Sequence, residues 1–253
     1  MFNLDRCFVA LSSALLIGVI VGSVFIFYSL DDESWASPRK IDKIWIGSGF
    51  FVNKDGDVVT NYHVIEWCPE VRLQTEKRQT ATGHVIASDE EADLALLRTD
   101  FNSNIKPYSF SDVDPDITQE VYVAGYPFGT NVLSAVKVNK GIVSSMITAL
   151  GRETRFIFDA ATQVGNSGGP VINTQGAVVG IATAKADRRK ILQDFDDAPE
   201  NISYGIRGSV LREFLKKNNV TFEILKNGTT TDDLPGLIRS STVLVGCGFV
   251  SPT

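Results

Sequence analysis

Asp159-Ala160-Ala161-Thr162-Gln163-Val164-Gly165-Asn166-Ser167-Gly168-Gly169-Pro170 is the stretch on which the reading of this chain turns. A serine between glycine-rich flanks, just ahead of the apolar pair Val171-Ile172, suits a nucleophile held on a tight turn. Glycine reaches backbone conformations that side chains resist, and it lets other groups approach closely. Such a turn can aim the backbone N–H groups of Gly165 and Ser167 at one point, which is what an oxyanion hole needs. A Gly/Ser turn between two strands has the same local pattern. The chemical reading therefore depends on finding a base and an orienting acid elsewhere.

Both are present upstream. Thr60-Asn61-Tyr62-His63-Val64-Ile65 follows apolar strand sequence, so His63 is expected at a strand end. Asp93-Leu94-Ala95-Leu96-Leu97 sets an acid directly ahead of a buried-looking strand. The order His63, Asp93, Ser167 is the chain order of the chymotrypsin-type fold, unlike those of subtilisin or the α/β-hydrolases. His84, the other histidine, sits mid-strand with no acid at a recognisable spacing and reads as structural.

With Gly47-Ser48-Gly49-Phe50-Phe51 ahead of the histidine, the run 165–170 resembles the nucleophile motif of trypsin-like serine proteases. The wider run from Asp159 resembles their HtrA branch, and the resemblance extends over about residues 44–217. It implies an all-β fold of two packed six-stranded β-barrels with a C-terminal helix. His63 and Asp93 would come from the first barrel and Ser167 from the second, with the active site in the cleft between them. The implied activity is that of a serine endopeptidase working through an acyl-enzyme on protein or peptide substrates, with no cofactor and no metal. The alternative is a catalytically silent protein-binding module on the same fold. Asn166 stands where digestive relatives carry an aspartate that pairs with a freed N-terminus. A neutral amide forms no such ion pair, so activation by N-terminal cleavage is not expected.

The resemblance also implies a substrate pocket. Ala161, six residues before the nucleophile, would lie at its base beside Thr162, with Thr183, Ala184, Tyr204 and Gly205 in its walls. A buried cation without a partner is costly. Ala161 offers none, so small or medium aliphatic residues are expected ahead of the cleaved bond, rather than Arg or Lys.

The rest of the chain frames these motifs. Its 253 residues are 43% hydrophobic, enough for one large or two small cores, and its net charge of −6 argues against nucleic acid as a partner. The apolar run 7–30, about 24 residues and ~36 Å long as a helix, is sufficient to span a bilayer. Residues 1–33 therefore read as an N-terminal membrane anchor, with a cleaved signal peptide as the alternative. Arg6 before the run and Asp31, Asp32 and Glu33 after it orient the protease domain to the outer, periplasmic or extracytoplasmic side. Residues 34–43 read as a linker, 44–100 as the first barrel and 117–208 as the second. Ser209 is expected to cap a helix over Val210–Lys217. The stretch 218–253 is expected to hold a short helix, capped by Asp232 or Asp233, and a final strand over Thr242–Phe249, with no room for a PDZ domain.

Three cysteines at these spacings suggest neither a disulfide-dense scaffold nor a zinc site. The stand-alone bacterial peptidases that this chain resembles carry a Cys at the positions of both Cys68 and Cys247. The resemblance thus implies a Cys68–Cys247 disulfide, against the alternative of two buried free thiols.

Overall fold

The structure is a computed structural model that describes residues 41–101, 105–127, 135–146, 154–183, 202–226 and 229–250. The expected membrane segment 7–30 and the charged stretch 185–200 lie outside the described residues. None of the described helices is long and apolar enough to cross a membrane.

Two closed barrels of six antiparallel strands each make up the fold. The first contains β1 (Ile41–Phe51), β2 (Asp57–Thr60), β3 (Val71–Gln74), β4 (Thr80–Asp89), β5 (Leu94–Thr99) and β12 (Thr242–Val250). The second contains β6 (Glu120–Gly125), β7 (Lys137–Ser145), β8 (Arg155–Phe158), β9 (Pro170–Asn173), β10 (Val178–Thr183) and β11 (Ser203–Arg207). Around the rings the orders are β1-β12-β3-β4-β5-β2 and β10-β11-β8-β7-β6-β9.

The first order corrects the expectation that residues 44–100 make a barrel on their own. Those residues supply five strands, and the sixth is β12 from the end of the chain. It runs between β1 and β3, pairing Phe50 with Thr242, Trp45 with Cys247, and Leu73 with Val245. The cause lies in unpaired edges. Without β12, β1 and β3 would each expose a row of N–H and C=O groups. Buried Val243, Val245 and Cys247 alternate with half-buried Leu244 and Gly246, so β12 also adds a face to the barrel interior. β1 itself begins at Ile41, so the last three residues of the expected linker belong to the sheet.

Side-chain alternation divides the core in three. Phe51, Val58, Leu73, Ala95, Leu97 and Val245 fill the first barrel. Val121, Val123, Phe156, Phe158 and Val179 fill the second. Phe50, Leu94, Leu96, Tyr108, Phe110, Ile172 and Ile181 form a third cluster with residues of both barrels. Neighbours such as Phe50 and Phe51, or Leu96 and Leu97, point to opposite faces of one strand. This is why β5 reads as an unbroken apolar run, because both of its faces are covered.

Three described helices complete the fold: α1 (Tyr62–Ile65), α2 (Gly208–Lys217) and α3 (Leu234–Ser241). Leu211, Phe214 and Leu215 of α2 pack into the third cluster. Ser209 does not cap α2, since Arg207 is the N-cap residue and makes no side-chain cap bond. Asp114 supplies the carboxylate instead, accepting from the Ser209 N–H at 2.7 Å and the Ser209 hydroxyl at 2.6 Å. In α3 the side chain of Asp233 accepts from the Gly236 N–H at 2.9 Å. A Cβ at residue 236 would lie 1.9 Å from that carboxylate, so the glycine that weakens the helix in sequence is what admits its cap.

Candidate active site

His63 lies not at a strand end but in α1, a single helical turn just after β2. Its backbone N–H donates to Asp93 Oδ1 at 3.0 Å, and its ring Nδ1 lies 3.0 Å from Oδ1 and 2.9 Å from Oδ2. One carboxylate therefore holds both the backbone and the ring of the histidine. With Nδ1 donating to the carboxylate, Nε2 is left as the acceptor. Asp93 is buried, which pulls its carboxyl pKa up. The hydrogen bonds from the His63 side chain and backbone and the charges of His63 and Arg155 outweigh burial and hold it below the ordinary value.

The backbone around this acid is specialised. Asp93 adopts φ of +58°, in the left-handed region that side chains other than Asn and Asp rarely enter. Its carbonyl accepts from Asn61 Nδ2 at 2.9 Å, and its Oδ2 accepts from the Thr183 hydroxyl at 3.3 Å. Thr183, expected in a pocket wall, thus contacts the acid from the second barrel.

The Ser167 turn is built from alternating fixed peptides. The Asn166 N–H donates to the Gln163 carbonyl at 2.9 Å, and that of Gly169 to the Asn166 carbonyl at 2.9 Å. Gly168 N–H reaches the Ala182 carbonyl at 2.9 Å, tying the turn to β10. Gly165 and Gly168 take φ of +104° and +85°, as a turn this tight requires. A Cβ at residue 168 would lie 2.1 Å from the Ser48 carbonyl and 3.0 Å from the Asn61 nitrogen. The turn therefore packs directly on β1 and on the segment leading into His63. Ser167 itself is buried.

Ser48, in the run Gly47–Phe51 ahead of the histidine, ties the first barrel to this turn. Its hydroxyl donates to the Gly165 carbonyl at 2.6 Å and accepts from the Tyr126 N–H at 2.9 Å. Its own N–H donates to the Ser167 carbonyl at 2.7 Å. The contacts span separations of 117 and 78 residues, and nothing local in the sequence signals them.

Of the residues expected in a substrate pocket, Ala161 and Thr162 lie in a loop, Thr183 on β10, and Tyr204 and Gly205 on β11. Ala161 is exposed, and its carbonyl accepts from Asn139 Nδ2 at 2.6 Å. Thr162 shares a hydroxyl–hydroxyl hydrogen bond of 2.8 Å with Ser203. Tyr204 and Gly205 on β11 pair with Thr183 and Ala182 on β10. A Cβ at residue 205 would lie 2.4 Å from the Phe156 ring, so glycine is what that packing admits. Ala184 lies outside the described residues. His84 is exposed on β4. Cys68 and Cys247 form a disulfide with Cα atoms 5.3 Å apart.

A buried acid orienting a histidine, beside a glycine-rich serine turn on paired barrels, defines the class of the trypsin-like serine peptidases. The family model of the trypsin-like peptidase domain matches residues 47–181, and the chain belongs to that family. It is 34% identical over 216 residues to the uncharacterized protein y4bJ of Sinorhizobium fredii, covering 84% of this chain and 34% of that protein. It is 36% identical over 138 residues to a probable periplasmic serine endoprotease, DegP-like, of Hahella chejuensis, covering 53% of this chain and 29% of that protein. Among solved structures it resembles the serine endoprotease from Yersinia pestis, with a TM-score of 0.57 and 26% identity over 68% of this chain and 57% of that one. The chain spans about a third of the length of these two curated relatives.

Proposed function

We propose that the chain is an HtrA-type serine endopeptidase in which Ser167, His63 and Asp93 act as nucleophile, general base and orienting acid. The observation that carries this reading is the His63 ring, with Nδ1 3.0 and 2.9 Å from the two Asp93 oxygens, on the surface that receives the Ser167 turn. As Ser167 Oγ adds to the carbonyl carbon of the cleaved peptide, its proton passes to His63 Nε2. Asp93, held ionised at neutral pH, stabilises the imidazolium. The Gly165 and Ser167 N–H groups receive the developing oxyanion, and in related sites one such donor is worth about 3 kcal/mol of the barrier. Collapse expels the amine, which takes the proton from His63 and leaves an acyl-enzyme. Water then repeats the sequence, and Ser167 is restored.

The protease domain acts outside the cytoplasm on protein substrates, tethered through residues 7–30. Three things support this setting: the 24-residue apolar run, a disulfide of the kind that persists in oxidising compartments, and the periplasmic name of a relative. The neutral Ala161, in a pocket whose walls the resemblance assigns to Thr162, Thr183, Ala184, Tyr204 and Gly205, favours small or medium aliphatic residues on the acyl side of the cut.

Unfolded casein incubated with the full chain tests the proposal, with Ser167→Ala alongside and the products mapped by mass spectrometry. The parent should cleave after Val, Ala or Leu, and the variant should lose ~10⁴- to 10⁶-fold in turnover. Equal cleavage by both would place the nucleophile elsewhere. Binding without cleavage by either would make the chain a silent binding module. Cuts mainly after Arg or Lys would overturn the pocket assignment alone.

A further inference from the structure

We infer that Ser48 is a positioning residue for the oxyanion hole, fixing with its side chain and its backbone the two peptides that alternate with the two donor peptides. The inference rests on the protease reading above and adds a residue to it. The Gly165 N–H belongs to the peptide between residues 164 and 165, and the Ser167 N–H to that between 166 and 167. Neither can hold its direction unless the peptides around it hold theirs.

Those intervening peptides are fixed at both ends. Between residues 165 and 166, the carbonyl accepts from the Ser48 hydroxyl at 2.6 Å and the N–H donates to Gln163 at 2.9 Å. Between 167 and 168, the carbonyl accepts from the Ser48 N–H at 2.7 Å and the N–H donates to Ala182 at 2.9 Å. Ser48 therefore supplies both carbonyl anchors, from β1 of the first barrel, to a turn that belongs to the second.

The hydroxyl's orientation follows from its partners. Tyr126 N–H donates into one of its lone pairs at 2.9 Å, so its single hydrogen is left for the Gly165 carbonyl. The Ser48 carbonyl accepts from the Thr60 hydroxyl at 2.7 Å, which ties the same residue to β2, three residues before His63. Ser48 is wholly buried, so no water is at hand to replace its hydroxyl. Ser48→Ala would leave the Gly165 carbonyl without its donor and free that peptide to turn. Oxyanion donors act through their fixed direction, and a displacement of ~1 Å in such a group costs on the order of 10²-fold in rate.

The test separates ground-state from transition-state binding. A tetrapeptide p-nitroanilide with valine before the scissile bond is the substrate, and the matching peptide boronate, whose adduct with serine is tetrahedral, is the inhibitor. Ser48→Ala should lower kcat by ~10- to 100-fold and weaken the boronate by a similar factor, with KM nearly unchanged. A residue that merely stabilised the fold would leave kcat and boronate affinity of the folded fraction at parental values, and that result overturns the inference. An equal loss in KM and boronate affinity would also overturn it, by moving Ser48 into substrate binding. Ser48→Cys, close in size but a weak donor, repeats the measurement if the Ala variant does not fold. Failure of both to fold assigns Ser48 to the fold and sinks the inference. If the parent shows no Ser167-dependent turnover, the inference falls with the protease reading. A parental rate in folded Ser48→Ala would remove it while leaving that reading intact.

Discussion

At the scale of single residues the arrangement centres on Asp93, which has two unusual properties, a left-handed backbone and a depressed carboxyl pKa. They are linked through local bonding. The φ of +58° turns the carboxylate toward both the N–H and the ring of His63, while Asn61 holds the carbonyl behind it. A group whose pKa falls on folding adds stability above its unfolded value, near 3.9 for Asp, and that stability is lost as pH falls through the folded value. In the parent, unfolding free energy should therefore decline below about pH 4 more steeply than in Asp93→Asn. Asparagine tolerates the left-handed backbone but carries no charge. Denaturant titrations of both proteins at pH 7 and pH 3 check this, and parallel acid losses would discard the linkage. The same variant should cleave ~10⁴-fold more slowly, because its amide no longer enforces the ring tautomer that leaves Nε2 as acceptor. Near-parental cleavage would move the acid role to Asp89. Here Asp89 instead caps a turn, accepting from the Ala92 N–H at 2.9 Å. The proposed Ser167, His63 and Asp93 stand out in the sequence because each sits in a short motif and their chain order is itself a signal. The Ser48 hydroxyl and the Thr183–Asp93 contact do not, because their partners lie 117 and 90 residues away.

The same division between local and distant signals holds for whole elements. Helix α2 was legible from its apolar stripe, Leu211, Phe214 and Leu215, and from the lysines in its last turn. Its cap is not legible in the sequence, since Ser209 has the residue type of a local cap while Asp114, which supplies the carboxylate, lies 95 residues earlier. Asp114 lies at the helix N-terminus, where a negative charge is favoured, and it also comes within 3.9 Å of Arg212 Nη2. Asp114→Ala should cost about 1 to 2 kcal/mol of stability. Ser209→Ala should cost less, because the backbone N–H still reaches the carboxylate at 2.7 Å. Urea midpoints of both variants and of the double variant measure the pair. A Ser209→Ala loss equal to that of Asp114→Ala would return the cap to the serine hydroxyl. The β-hairpin between β1 and β2 turns at Asn53-Lys54-Asp55-Gly56, a sequence with an Asp-Gly turn signal. Asn53 Oδ1 accepts from the N–H groups of Asp55 and Asp57 at 3.0 and 3.1 Å, a bonding pattern local enough to be visible in sequence.

For the molecule as a whole, the decisive feature is that the first barrel is finished by the last strand. Short β-branched runs and turns revealed two groups of strands, but periodicity carries no information about which strands pair. Placing β12 between β1 and β3 therefore depended on the fold itself. The consequence is a long-range closure. β1 cannot complete its pairing until residues 242–250 arrive, and the whole second barrel lies between them in sequence. The Cys68–Cys247 disulfide spans 179 residues and joins the segment just before β3 to β12, so it fixes that closure covalently. By the chain-entropy account, a bond closing so long a loop limits the unfolded ensemble by ~5 kcal/mol, and measured gains are commonly smaller. Cys68→Ala with Cys247→Ala should therefore lower the guanidinium midpoint by an amount worth ~2 to 5 kcal/mol, and reduction of the parent should lower it equally. The second barrel takes no strand from the C-terminal segment, so the loss should fall on the first barrel and on Trp45, whose residue pairs with Cys247 in β1. Tryptophan fluorescence followed alongside circular dichroism would detect this as a transition that begins earlier in the reduced protein. Coincident transitions with an unshifted midpoint would mean that β12 is held by its pairing with β1 and β3 alone, and that the disulfide adds nothing to closure.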